Sequence, residues 1–581
     1  MEAATIGLLG PFIALAASPK LINRQETIAS IYEYLKERTF IQSEAKFVAL
    51  IGLIVIIIHT SRTLLSLLIQ QKTHDFAIRL QRDLQLRLLR AYLHAPYSIH
   101  LRKNSAQIIH TISGETSTFS QGVILASLNY SVSVTMFFFL GALVIATDPL
   151  ACLVIVVMLL FVGVIFYLLR HKAPLWGKTL SRTNKEIIRT IQHAIGGIKE
   201  TKVMGCEIYF ENKFQEYAQR AMIIQRERHD FSRIPKAFIE ILTIVSVVGL
   251  ICIILFISEG NQFLIAKLGI IGLVAMRLSG SSNKLSTELT LLRSSNYVID
   301  SLYNELRSSS ETRELEKGTE KYAVRGGSFS PGVAKKKIAF LERIDLCNVS
   351  YRYPRSDKDA IQNVSLKIYK GESIAFIGRS GAGKTTLVDI ILGLLKPSSG
   401  DIVVDGVTSI YEAPKAWRQM IGYIPQSIFL MDDTFVRNIA FGVPDRLIDI
   451  DKVNHVIDVA QLRDVVNQLP NGIETRIGER GTRLSGGQRQ RVGIARAMYH
   501  DSEILVLDEA TAALDQETEK SVVKAIKNLG LTKTLITIAH RLETIKDCDR
   551  VYVLDQGRII RMGTYDQVVL RGEEKELEIS E

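Results

Sequence analysis

The chain has 581 residues, enough for more than one domain, and 47% of them are hydrophobic. Its five cysteines (Cys152, Cys206, Cys252, Cys347 and Cys548) show no C-x-x-C spacing, which argues against both a disulfide framework and a cysteine zinc site. The net charge of +11 accompanies long apolar runs, so basic loops beside anionic lipid account for it without any nucleic acid partner.

A short apolar run, 3–17, opens the chain without a basic n-region, so it reads as the outer part of a first transmembrane helix rather than a signal peptide. Either the sequence begins late or that helix is short. Residues 27–35 (TIASIYEYL) carry apolar positions at 28, 31, 32 and 35, the pattern of a short amphipathic helix on the outer side of a membrane. A spanning helix needs roughly 20 mostly apolar residues. Segments 47–69, 123–147, 150–169 and 239–257 meet that length, and 263–278 is shorter but continues a helical pattern towards Leu306.

Six spans are therefore expected, with uneven connections. Residues 70–122 and 170–238 are long and basic, carrying Lys72, Arg79, Arg82, Arg87 and Arg90, then Lys172, Lys178, Arg182, Lys185 and Arg189. Positive loops stay on the cytoplasmic side. Leu80, Leu84, Leu88 and Leu89, like Ile187, Ile188 and Ile191, recur at helical spacing, so the spans are expected to continue far into the cytoplasm. Four basic residues fall at or near membrane depth: Arg62, Lys236, Arg277 and Lys284. Such charges usually face the bundle interior and mark a substrate path, and cations with few acids predict an anionic substrate. Lys236 could instead pair with Glu240 at i+4, and Lys284 could lie in the cytoplasm.

Residues 308–340 are largely polar and rich in Ser, Gly and charge, which reads as a linker between a membrane domain (1–307) and a second domain (341–581). Short β-rich runs alternating with helices then predict an α/β fold. Within it, Gly378-Arg379-Ser380-Gly381-Ala382-Gly383-Lys384-Thr385 follows the apolar run 373–377 and precedes another, 387–392. Strand, glycine loop and helix form the context of a phosphate-binding P-loop: backbone N–H groups and the helix N-terminus face the anion, Lys384 reaches the β- and γ-phosphates, and Thr385 ligates Mg²⁺. A second apolar run, 504–507, ends in Asp508 and Glu509. That placement suits a carboxylate at Mg²⁺ and a general base for the attacking water.

Leu484-Ser485-Gly486-Gly487-Gln488 discriminates among P-loop proteins. With this signature the chain resembles the ATP-binding cassette (ABC) family, over residues 341–560. The resemblance implies ATP contacts from Tyr353 (adenine), Gly378, Ser380, Gly381, Gly383, Lys384, Thr385, Thr386, Ser485, Gly486, Gly487, Gln488 and Asp515. It implies catalytic roles for Glu509, His540 and Gln426, and Mg²⁺ held by Thr385, Gln426 and Asp508. In the family each ATP lies between one P-loop and the signature of a second cassette, so a homodimer is expected. Short coupling helices are implied in the two long loops, with 102–109 and 205–210 as candidates. The expected fold is an α-helical six-span transmembrane domain of the exporter type joined to an α/β P-loop cassette, multi-pass in a cell inner membrane with the cassette cytoplasmic.

The outer helix, the basic residues Arg62 and Arg277, and segments 105–115 and 275–278 resemble the bacterial flippases of lipid-linked oligosaccharides. That implies ATP-driven outward movement of an anionic lipid-linked substrate. The alternatives are a multidrug, lipid or peptide exporter, or an ATP-gated channel or regulator on the same fold. Glu509 argues against the last, since such proteins often lose the catalytic glutamate at one site.

Overall fold

The structure, a computed structural model, describes residues 26–38, 43–147, 172–257, 264–316, 338–354, 356–508, 533–539 and 545–570, with single positions at 12, 15, 16, 22, 163, 164 and 167. Two compact units result, the first from residues 1–95 and 99–316, the second from 96–98 and 317–581.

Helices build the first unit. α1 (Glu26–Arg38) packs Tyr32 edge-on against Phe47, ring centroids 5.2 Å apart, in a small core with Leu15 and Ile22. Tyr32 turns inward while Ile31 stays 55% exposed, so the apolar positions read from the sequence divide between two directions. α2 (Glu44–Leu93) starts at Ser43, whose hydroxyl accepts the Lys46 N–H. At 1.5 Å per residue its 50 residues reach about 75 Å, far beyond the apolar stretch 47–69. The short helix α3 (Tyr97–His100) follows, its first two residues counted with the second unit. α4 runs from Ser105 to Thr147 and contains π-helical turns at Thr111–Glu115 and Ser120–Leu125. α5 (Lys172–Gly196), α6 (Ile198–Met204), α7 (Glu207–Ile257), α8 (Leu264–Ser295) and α9 (Tyr297–Glu316) complete the unit.

Among the described residues, Glu44–Leu93 and Ser105–Phe139 are each long and apolar enough to cross a membrane. The expected spans 3–17 and 150–169 lie almost wholly outside the described residues. The separate short helices are α3, which ends two residues before the candidate 102–109, and α6, which ends directly before the candidate 205–210. Asn104 accepts the Ala106 N–H at 2.8 Å and so begins α4 at Ser105, while Gly205, at φ +62°, closes α6 in the left-handed region. α9 reaches Glu316, beyond residue 308, because 308–316 contains neither Gly nor Pro and the first breaker is Gly318.

Helix contacts in this unit are close and polar. A Cβ on Gly177 of α5 would fall 1.8 Å from the Ser294 carbonyl oxygen of α8, and one on Gly122 of α4 would fall 2.1 Å from Ser295 Oγ. Glu115, 1% exposed, sits at the end of the first π turn. It accepts hydrogen bonds from Ser181 (3.3 Å) and Ser301 (2.6 Å) and pairs with Lys185 (2.8 Å), tying α4, α5 and α9 together.

The second unit holds two sheets. β1 (Arg343–Tyr351), β2 (Ile361–Tyr369), β4 (Ser399–Val404) and β5 (Thr408–Ser409) form an antiparallel sheet in the order β2-β1-β4-β5. β3 (Ser373–Ile377), β6 (Ile421–Ile424), β7 (Ile504–Asp508), β8 (Thr534–Ile538), β9 (Arg550–Asp555) and β10 (Arg558–Gly563) form the other, in the order β10-β9-β3-β8-β7-β6. Among its described pairings only the edge pair β9–β10 is antiparallel. Both sheets share one core, which includes Ile344, Ile361, Ile374, Phe376 and Val506. A second core gathers Phe435, Val453, Leu484 and Val492 in the helical part. Asp405, at the turn after β4, accepts three successive backbone N–H groups, those of Leu341, Glu342 and Arg343, and so pins the chain leading into β1.

Candidate nucleotide site

Ligands of parallel α/β sheets bind beyond the carboxyl ends of the strands. β3 delivers the glycine loop there, and β7, separated from it only by β8, delivers Asp508 to the same end. Two strand spacings put them about 10 Å apart.

The loop admits only glycine at two points. Gly378 has φ +147°, and a Cβ there would fall 2.1 Å from the Leu554 carbonyl oxygen; Gly383 has φ +104°, and its Cβ would fall 2.8 Å from the Ala360 oxygen. The backbone curls because nothing larger fits. α10 (Lys384–Ile391) begins directly after Gly383. Lys384 is buried, and its Nζ donates to the carbonyl oxygens of Gly378 (2.7 Å) and Arg379 (3.1 Å), bending the ammonium back across the loop. Ser380, Gly381 and Thr385 are exposed at the loop mouth.

Tyr353 reaches α10 as well. Its hydroxyl lies 3.1 Å from Thr386 Oγ1, and its ring meets Tyr351 edge-on at 5.0 Å. Gln426 is exposed two residues beyond β6. Ser485 is the N-cap of α11 (Gly486–Tyr499), in a reciprocal capping box: Ser485 Oγ accepts the Gln488 N–H (3.2 Å) and Gln488 Oε1 accepts the Ser485 N–H (2.8 Å). Gln488 thus shapes the helix start, and Gly486 and Gly487 leave its N-terminus without bulky side chains. This helix belongs to the second core, the P-loop to the first. Glu509, Asp515 and His540 lie outside the described residues.

Two neighbours of Asp508 escaped sequence reasoning. Tyr423 on β6 donates its hydroxyl to Asp508 Oδ2 at 3.3 Å. Asp389 lies one turn beyond Thr385 on α10, where burial and then the charge of Asp508 lift its carboxyl to about 6. The available signal was spacing: Asp389 is i+4 from Thr385, and Tyr423 precedes Gln426 on the strand beside β7. In the first unit, Arg62 is half-buried on α2, Lys236 is exposed on α7 and Lys284 is exposed on α8. Arg277 is also on α8, and its side chain lies outside the described residues.

Membrane-length apolar helices and a phosphate cradle on one chain define a class, the ATP-driven membrane transporters. Residues 22–281 match the ABC transporter transmembrane region and residues 361–512 the ABC transporter domain. An ATP-dependent lipid A-core flippase of Cupriavidus metallidurans is 30% identical, over 84% of this chain and 79% of that one. A protein of the same name from Shewanella oneidensis is 27% identical over 98% of this chain and 91% of its own. The fold matches a bacterial Atm1-family ABC exporter solved with ATP bound, with a TM-score of 0.76 at 21% identity, over 98% of this chain and 96% of that chain. The chain belongs to the ABC transporter family. It is an ATP-hydrolysing membrane transporter with an exporter-type transmembrane domain and a cytoplasmic ATP-binding cassette.

Proposed function

We propose that two copies of this chain form the working transporter, which moves an anionic amphipath outward across a bacterial inner membrane. The substrate class is a lipid-linked saccharide or a related glycolipid. The observation that carries this reading is the similarity of both halves, over 84% of the chain, to relatives named lipid A-core flippases. The basic residues Arg62, Lys236, Arg277 and Lys284 agree with an anionic cargo. One cassette per chain calls for the second copy, since its P-loop and its signature stand on separate cores.

In this reading Lys384 exchanges its bonds to the Gly378 and Arg379 carbonyls for phosphate oxygens, and the loop amides and the start of α10 hold the remaining charge. Tyr353 stacks on adenine. Ser485 of the partner subunit, with the glycines behind it, meets the γ-phosphate from the opposite side. Glu509 takes the proton of the attacking water, His540 contacts the γ-phosphate, and Asp515 joins the ATP contacts. The residues fit Mg²⁺: a carboxylate, Asp508, stands at the strand ends beside a glycine cradle, and Thr385 is exposed at its mouth. With Gln426 they would hold the ion, which supplies neutralisation of phosphate charge as the terminal bond breaks.

ATPase stimulation in liposomes by lipid-linked oligosaccharide, lipid A-core glycolipid, free saccharide, drug and peptide tests the reading. The two glycolipid classes are expected to stimulate and the free saccharide is not. Arg277→Ala is expected to stop glycolipid transport while leaving basal hydrolysis largely intact, with Arg277→Lys intermediate, because Lys reproduces bidentate phosphate contacts poorly. Transport at the wild-type rate by Arg277→Ala removes the anion path.

A further inference from the structure

The first unit has a groove of about 410 Å³ between α2 and α4, lined by Leu68, Ile69, Lys72, Thr73, Phe76 and Leu128. Its lining is apolar except for the Lys72 ammonium and the Thr73 hydroxyl, and the latter already donates to the Ile69 carbonyl at 2.8 Å. Among the described residues no carboxylate lines it.

Its depth follows from the chain. On α2 the apolar stretch 47–69 ends at Ile69, and Gln70, Gln71 and Lys72 come next. On α4 the apolar stretch starts at residue 123, and Leu128 is just inside it. Both helices therefore put the groove at one membrane boundary. It is the cytoplasmic boundary, because 70–122 is a basic loop. Along the groove, Leu68 and Ile69 stand at hydrocarbon level and Lys72 at headgroup level, the order in which a phospholipid presents its acyl chain and its phosphate. Phe76 lies one turn past Lys72 and is 55% exposed, although it is beyond the apolar stretch. An aromatic ring at that level belongs to the interfacial belt, where lipid headgroups surround it.

We propose that this groove holds an acyl chain of an anionic phospholipid of the cytoplasmic leaflet, with the lipid phosphate on Lys72. A single lysine matches the single charge of a phosphodiester, and its stem can lie along the apolar wall while the ammonium stays at the headgroups. The site sits on α2 and α4, whereas the basic residues assigned to the cargo are Arg62 on α2 and Lys236, Arg277 and Lys284 on α7 and α8.

Native mass spectrometry of the full-length protein from nanodiscs of phosphatidylcholine with phosphatidylglycerol tests this. The wild type is expected to retain phosphatidylglycerol over phosphatidylcholine. Lys72→Glu should lower that retention about tenfold, and Lys72→Arg should keep it. Leu128→Trp, which fills the groove without touching the charge, should also lose the lipid, and it carries the test if Lys72→Glu fails to fold. Equal retention of phosphatidylglycerol by Lys72→Glu and wild type overturns the proposal. So does a wild type that holds both lipids alike, or a Leu128→Trp variant that binds as the wild type does, since surface charge alone then suffices. The readout is binding, so a failure of the glycolipid-transport reading leaves it untouched.

Discussion

Asp389 stands among the phosphate-site residues with its carboxyl lifted to about 6, against an ordinary value of 3.8, first by burial and then by Asp508. Between these values the folded chain keeps a proton that the unfolded chain releases, so the nucleotide-free protein loses stability as pH rises through that window. Asp389→Asn has no such loss. It is expected to melt above the wild type at about pH 8 and to converge with it below about pH 4. Thermal unfolding in detergent across that range checks this, and parallel curves at every pH would remove the charge strain. Glu509 carries the chemical expectation at this scale. Glu509→Gln should bind ATP and hold the dimer closed, yet hydrolyse it roughly 10²-fold more slowly, the usual scale for a positioned base. Steady-state turnover near the wild-type rate would release Glu509 from that role.

At the scale of elements, the membrane unit depends on how closely its helices approach. Gly177 lets α5 come against the α8 backbone at Ser294, where an added Cβ would sit 1.8 Å from a carbonyl oxygen. Backbone cannot give way as a flexible side chain can, so Gly177→Ala must push the helices apart. Overpacking of this kind costs about 1–3 kcal/mol. The expected result is a lower melting midpoint, whereas Gly141→Ala, with no described neighbour within 4 Å of its Cβ, serves as the comparison. Equal midpoints for the two variants would show that α5 and α8 slide freely. Close approach also explains the buried Glu115: a carboxylate out of water needs its lysine and two hydroxyls, and losing one partner leaves an uncompensated charge.

At the scale of the whole molecule, the question is which P-loop each signature serves. If Ser485 completes the ATP site of the partner subunit, then a dimer joining one Lys384→Ala chain to one Ser485→Ala chain places both lesions on one composite site and spares the other. Nucleotide trapping should then find one occupied, competent site per dimer. Two impaired sites that each still trap nucleotide would point to obligate coupling, and two that trap none would exclude the shared arrangement.

The cassette is legible from its residues alone, because its chemistry is local and ordered along the chain. A glycine loop between a strand and a helix needs no tertiary information to be read, and neither does an apolar strand ending in Asp508 and Glu509. The long helices were legible for a similar reason: apolar length and i, i+3, i+4 spacing are properties of one segment. What lies between segments emerges only once the chain is packed. Tyr423 and Asp389 are 34 residues apart and meet at Asp508 only because β6 pairs with β7 and α10 follows β3. Glu115 reads as an ordinary surface acid in a basic loop until three helices close on it. The inward turn of Tyr32 and the outward turn of Ile31 follow from the position of Phe47 rather than from the pattern of α1. Periodicity fixes which residues share a face, but what that face meets depends on partners brought from far along the chain, and that is a fact of packing.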